Sequence, residues 1–183
     1  TFDTSKNTHN MLEKLLLQQD EDNLDVALYL DHTLVEALRA DDPLTCLSET
    51  NLVRFWTALE GVSHFLYLVW NVHYGRGISL FELELQAEID KFVCAVALCG
   101  KQAPGYSLDS IHARLFGAAR FDPALTAEEL IRYRSANSLA AKYCKKLIDS
   151  LANNTNSRSV TQDLRRFYRL THHHKVDYIN HAR

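Results

Sequence analysis

The stretch EGVSHFLYLVWNVHYG, residues 60–75, decides the fold class. Its apolar residues recur at helical spacing, and the "YGRG" glycines that follow can take the left-handed backbone that ends a helix. The third helix of the chain is therefore expected over about residues 49–74, its middle largely buried. Along it run Glu60, His64, Tyr67 and Asn71. At 100° per residue these four fall within an arc of about 60°, one polar stripe on an otherwise apolar rod. Burying an unpaired carboxylate or amide costs several kcal/mol. The stripe must therefore face solvent, join an internal hydrogen-bond network, or line a cavity that binds a metal or small ligand.

Outward from this segment the chain continues to read as helix. Ser79-Leu-Phe-Glu82 is a capping box opening a fourth helix to about Cys99. The alternation in "LFELEL" suggests a strand, but Leu85, Ile89, Phe92 and Val96 keep helical spacing for longer. "GKQAPGYS" is a loop, and a short helix lies in "LDSIHARLFGAARFDP" before an irregular connection. A second capping box, Thr126-Ala-Glu-Glu129, begins a fifth helix to about Ala152, and Ser159-Val-Thr-Gln162 begins a last one to the C-terminus.

On the N-terminal side, Met11, Leu12, Leu15 and Leu16 suggest a first helix over Asn7–Gln19. After the acidic turn "DEDN", Leu24, Ala27, Leu28, Leu34, Val35 and Leu38 suggest a second, reaching Ala40 before Pro43. The expectation is an all-α, single-domain helical bundle over 1–183: six long helices, one short helix, and the central helix largely buried.

Composition supports this. With 183 residues, 46% hydrophobic and 23% charged, the chain can bury a real core, and six Gly and three Pro are few for a turn-rich sheet protein. No apolar run reaches the ~20 residues of a membrane span. "TFDTSKNTHN" has none of the marks of a secretory leader. Cys46, Cys94, Cys99 and Cys144 form no C-x-x-C pair. They read as reduced thiols suited to a cytoplasmic protein, not as a zinc site.

Charge is unevenly spread. Residues 1–131 hold nine Lys/Arg against twenty Asp/Glu, and residues 132–183 eleven against three. The basic section, with Arg165, Arg166 and Arg169 in the last helix, fits an acidic surface of its own chain, of a second copy, or of an acidic protein partner better than it fits nucleic acid.

Three constellations could carry chemistry. The first is the Glu60–His64–Tyr67–Asn71 stripe. The second is Glu84, Glu88 and Lys91 at i, i+4 and i+7 on the fourth helix, where two like charges call for a cation. The third is His174, Asp177 and His181, whose spacing lets imidazoles and a carboxylate converge on one ion. Together Glu60, His64, Glu84, Glu88, His174, Asp177 and His181 form a candidate ligand set for iron, manganese or zinc. The arrangement is similar in kind to carboxylate-bridged di-metal bundles, although their ferritin-type signature is Glu-x-x-His and the pair here is spaced i, i+4. Arg169-x4-His174 resembles in length the Arg/His pair of HEPN-type helical ribonucleases, although on one regular helix the two would point about 140° apart.

The leading expectation for function is a non-enzymatic, self-associating binding or regulatory module, a homo-oligomer. The alternative is a metal-dependent bundle enzyme, and the third is HEPN-like RNA processing.

Overall fold

The computed structural model describes residues 12–20, 24–102, 107–152 and 157–181. It is mostly α-helical, with one small two-stranded sheet at the N-terminal side. Strand β1 (Glu13–Gln19) pairs antiparallel with β2 (Leu24–Leu30), in a register that sets Glu13 opposite Leu30 and Gln19 opposite Leu24. Helices α1 (His32–Ala40), α2 (Leu52–His73), α3 (Leu80–Gln102) and α4 (Leu108–His112) follow. A π-turn over Ala113–Gly117 leads on to α5 (Ala127–Ala152), α6 (Ser157–Tyr168) and α7 (His172–His181).

The hairpin corrects the expectation of two N-terminal helices; the part of the first that fell on residues 7–11 lies outside the described residues. Leu24, Val26, Leu28 and Leu30 alternate with exposed Asp25, Ala27 and Tyr29, a period of two that a strand places on one face. Those leucines face α2, on which the sheet lies. Helix forms only after Asp31, whose extended backbone and side chain (accepting from the Thr33 N–H at 2.8 Å) cap α1.

The remaining helices form where local chemistry starts and stops them. Ser79 and Glu82 bond reciprocally (Ser79 N–H to Oε2, 2.9 Å; Glu82 N–H to Oγ, 3.2 Å), and Thr126 and Glu129 do the same at the head of α5. Helix α2 ends as its glycines predict: Gly75 has φ +63°, and the Arg76 N–H returns to the Asn71 carbonyl at 2.9 Å.

The expected last helix is two helices, broken at Arg169–Thr171. The Arg169 and Leu170 N–H groups bond three residues back and tighten the final turn of α6. Helix α6 also begins at Ser157, so Ser159 lies inside it and not at its cap. The break resets the helical phase, so that Phe167 on α6 and Lys175 and Ile179 on α7 all reach the core.

Helix α3 lies between α2 and α5. Leu85, Ile89, Phe92 and Ala95 meet Ala136, Ala140, Tyr143 and Leu147 of α5 in the main hydrophobic core. Helix α2 is buried along the side carrying Trp56, Ser63, Tyr67 and Asn71, and turns Leu66, Val69 and Val72 outward. All four cysteines are free thiols: Cys99 and Cys144 are buried, Cys94 half-buried and Cys46 exposed. Among the described residues, no helix is long and apolar enough to cross a membrane.

Candidate metal centre

Helices α2 and α3 meet along their polar flanks. One ligand atom from each of Glu60, His64 and Glu84 comes within 4.8 Å of the other two, the only such group of three acidic, imidazole or thiol ligands among the described residues. His64 Nε2 lies 3.6 Å from a Glu84 carboxylate oxygen, and both side chains are nearly enclosed, 12% and 11% exposed. Two turns further along α3 from Glu84, the Lys91 ammonium donates to Glu60 at 2.9 Å and to Glu88 at 2.6 Å.

Two groups that sequence reasoning missed complete the cluster. Glu13 comes from β1, a segment read as helix. It crosses α2 at Gly61, where an added Cβ would lie 2.6 Å from Glu13 Oε2 and 2.9 Å from Leu28 Cδ1. The bare backbone of Gly61 is what lets the hairpin approach. Tyr133, from α5, brings its phenol beside Glu84 and Glu60.

Four carboxylates thus share one lysine and one histidine, and their protonation follows from that imbalance. Burial pushes the Glu13 carboxyl above its usual range, and the charge of His64 only partly offsets this. Burial would also raise Glu60, but Lys91 and His64 outweigh it and hold that carboxyl low. For His64 burial alone would disfavour the cation, yet Glu84, Glu60 and Glu13 prevail and raise the imidazole. Burial keeps Glu88 high despite Lys91, and burial together with the neighbouring glutamates keeps the Tyr133 phenol protonated. Glu13 Oε2 and His64 Nε2 are nonetheless buried with no hydrogen-bond partner. Buried polar atoms are normally paired, and two orphans in one carboxylate cluster mark a place suited to a cation.

The cluster borders two cavities. One, of about 450 Å³, has Glu13, His64, Glu84 and Tyr133 in its wall, with aliphatic side chains from β1, α2 and α3. The other, of about 380 Å³, has Glu60, Glu88 and Lys91 in its wall, and Tyr133 borders both.

The remaining sequence candidates lie elsewhere. Tyr67 is fully buried, its ring 5.1 Å from Tyr168 and 4.6 Å from the Lys175 ammonium. Asn71 is buried and donates back to the Tyr67 carbonyl at 2.8 Å. His174, Asp177 and His181 are on the exposed side of α7, where His174 Nδ1 meets the Thr171 hydroxyl at 2.8 Å and His181 Nδ1 the Asp177 carbonyl at 3.0 Å. Arg165 and Arg166 are exposed on α6, and Arg169 is exposed in the break that follows it. Arg166 lies 5.4 Å over the Tyr178 ring, Arg169 accepts from Arg76 through its carbonyl, and none of the three forms an ion pair among the described residues.

A buried polar chain also went unread. Lys175 Nζ, fully buried, donates to Gln86 at 2.5 Å. Gln86 donates to Asp90 at 2.9 Å, and Asp90 accepts from Ser63 at 2.6 Å. The only sequence sign was a lysine next to a histidine run, which gives no hint of burial. No protein-family model, curated protein or solved structure matches the chain.

Proposed function

We propose that the protein is a metal-dependent enzyme holding one divalent ion between Glu60, His64 and Glu84, beside a cavity of small-molecule size. The observation that carries this reading is the buried His64 Nε2, without a hydrogen-bond partner and 3.6 Å from Glu84, grouped with Glu84 and Glu60. Glu13, whose charge acts on His64, Glu60 and Glu84, stands outside this ligand group and is a candidate base beside it. A mixed imidazole–carboxylate set with no thiolate suits iron, manganese or zinc. A di-metal centre fits less well, because the Lys91 ammonium already bridges Glu60 and Glu88, where a second ion would sit. A bound ion in such a site acts as a Lewis acid or lowers the pKa of a bound water. The Tyr133 phenol, kept protonated by burial, can donate a hydrogen bond to a ligand next to Glu84.

Calorimetric titration of the purified protein with Mn2+ and Zn2+, and with Fe2+ under argon, tests this. One ion per chain is expected. Affinity should rise with pH through neutrality, because ions displace the protons that His64 and Glu13 hold above their usual pKa values. The double substitution His64→Ala, Glu84→Gln should weaken binding by more than the ~10–100-fold that follows loss of an outer-shell partner. Sub-stoichiometric binding, or binding indifferent to the double substitution, would refute the reading.

A second reading, the self-associating module, draws support from Arg165, Arg166 and Arg169, which are exposed and form no ion pair among the described residues. It expects a dimer in light scattering that dissociates as salt rises, and at low salt after Arg165→Glu, Arg169→Glu. A monomer at every ionic strength would exclude it.

A further inference from the structure

The walls of the cavity beside the centre are unlike its floor. Leu15, Leu17, Leu68, Ile78, Leu80 and Leu83 supply most of the walls, a largely aliphatic surface to which Lys14 and Ser79 add the polar groups. Glu13, His64 and Glu84 are gathered together in the same cavity, and Glu13 Oε2 and His64 Nε2 are buried there without a hydrogen-bond partner. Depth follows from exposure: Leu17 and Leu80 are 40% and 41% exposed and form the mouth, whereas His64 and Glu84 are nearly enclosed. A volume of about 450 Å³ lies within the range of small-molecule sites.

From this geometry we infer that the ligand of the centre is an amphiphile, a medium-length aliphatic chain with an oxygen-donor head group that enters head first. The inference rests on the metal reading above. The head ligates the ion between Glu60, His64 and Glu84 and accepts a hydrogen bond from Tyr133. The chain lies back along Leu68, Leu83 and Ile78 toward Leu15 and Leu17. A sugar or nucleotide would find only Lys14 and Ser79 as polar partners on walls that six aliphatic side chains dominate, and hydroxyls left unpaired cost affinity, whereas a hydrocarbon chain gains with each methylene buried.

Hydroxamic acids are suitable probes, because the chelating head stays constant while the chain varies. Protein loaded with Mn2+, its metal content checked before and after, is titrated with acetohydroxamic and octanohydroxamic acid. Octanohydroxamate should bind tighter by on the order of a hundredfold or more, given roughly fourfold for each fully buried methylene. Leu83→Trp, which fills the cavity, should abolish the difference between the two probes. Leu17→Ser, at the half-exposed mouth, should weaken octanohydroxamate several-fold more than acetohydroxamate. Protein that takes no metal overturns the centre and the amphiphile together. Protein that takes metal but binds both probes equally, or keeps its chain-length preference in both variants, overturns the amphiphile and leaves the centre standing.

Discussion

Lys91→Met is expected to destabilise the protein by about 3–5 kcal/mol, the usual loss when one partner of an enclosed ion pair is removed. The ammonium is 8% exposed and serves two carboxylates, Glu60 and Glu88, themselves 29% and 20% exposed. Without it both charges face each other and Glu84 across the α2–α3 seam. Denaturation at pH 7 should report the loss, and Lys91→Met, Glu88→Gln should recover much of it. The pH dependence that Glu60 contributes should also change sign, while Glu88, already held high by burial, moves further up. In the wild type, Lys91 helps hold Glu60 low, so that group contributes stability above its unfolded pKa and loses it in acid. In the variant both glutamates should titrate above their unfolded values, bind protons preferentially in the folded state, and lose stability as pH rises from 5 to 7. If Lys91 occupies a second-ion position, the variant should also take up two ions per chain instead of one.

Lys175→Met should have an effect of similar size and opposite direction. Burial pushes the Lys175 ammonium down to about 7, with Asp90 and Glu82 of α3 pulling it up and Arg76 adding to the fall. The rings of Tyr67, Phe167 and Tyr168 enclose it, and Gln86 is its hydrogen-bond partner. Between pH 7 and 10.5 the unfolded chain therefore carries a proton that the folded one has lost. Stability from this group rises with pH across that window and is lowest below it. For a fully buried lysine the interval corresponds to several kcal/mol. The Met variant should be more stable than wild type at pH 6–7, despite leaving Gln86 short of a partner, and the two should converge toward pH 9. Above that the buried Cys99 and Cys144 thiols, raised by burial, bring in an opposing slope of their own. Urea midpoints that run parallel from pH 6 to 9 would mean that the ammonium stays charged in its aromatic surround.

Much of the helical framework was legible because its signals are local. The capping boxes at Ser79 and Thr126 and the glycine after Tyr74 act within a few residues, and they fall where the spacing predicts. The hairpin was not legible in the same way. Leu15–Leu16 and Leu24–Ala27–Leu28 satisfy a helical stripe, while Leu24, Val26, Leu28 and Leu30 satisfy a strand. The packing of the sheet on α2, which Gly61 permits, is not visible in either pattern. Glu13 was lost with it.

The centre was half legible. Glu60 with His64, and Glu84 with Glu88, stand at helical spacing, so finding them on facing flanks needed only two adjacent helices. Tyr67 and Asn71 share the angular position of Glu60, but Asn71 lies about 16 Å along the axis from it. A stripe of that length cannot converge on one ion, and its far end became core. His174, Asp177 and His181 were placed by assuming one continuous helix. The break at Arg169–Thr171 turns Lys175 inward and those three outward, and no local residue type announces it.

Anomalous diffraction from crystals grown with Zn2+ or Mn2+ tests the central claim most directly. The account predicts one strong peak per chain about 2.0–2.2 Å from His64 Nε2 and from carboxylate oxygens of Glu60 and Glu84. A peak confined to the histidines of α7, or Glu60, His64 and Glu84 with no density between them at millimolar ion, would contradict it.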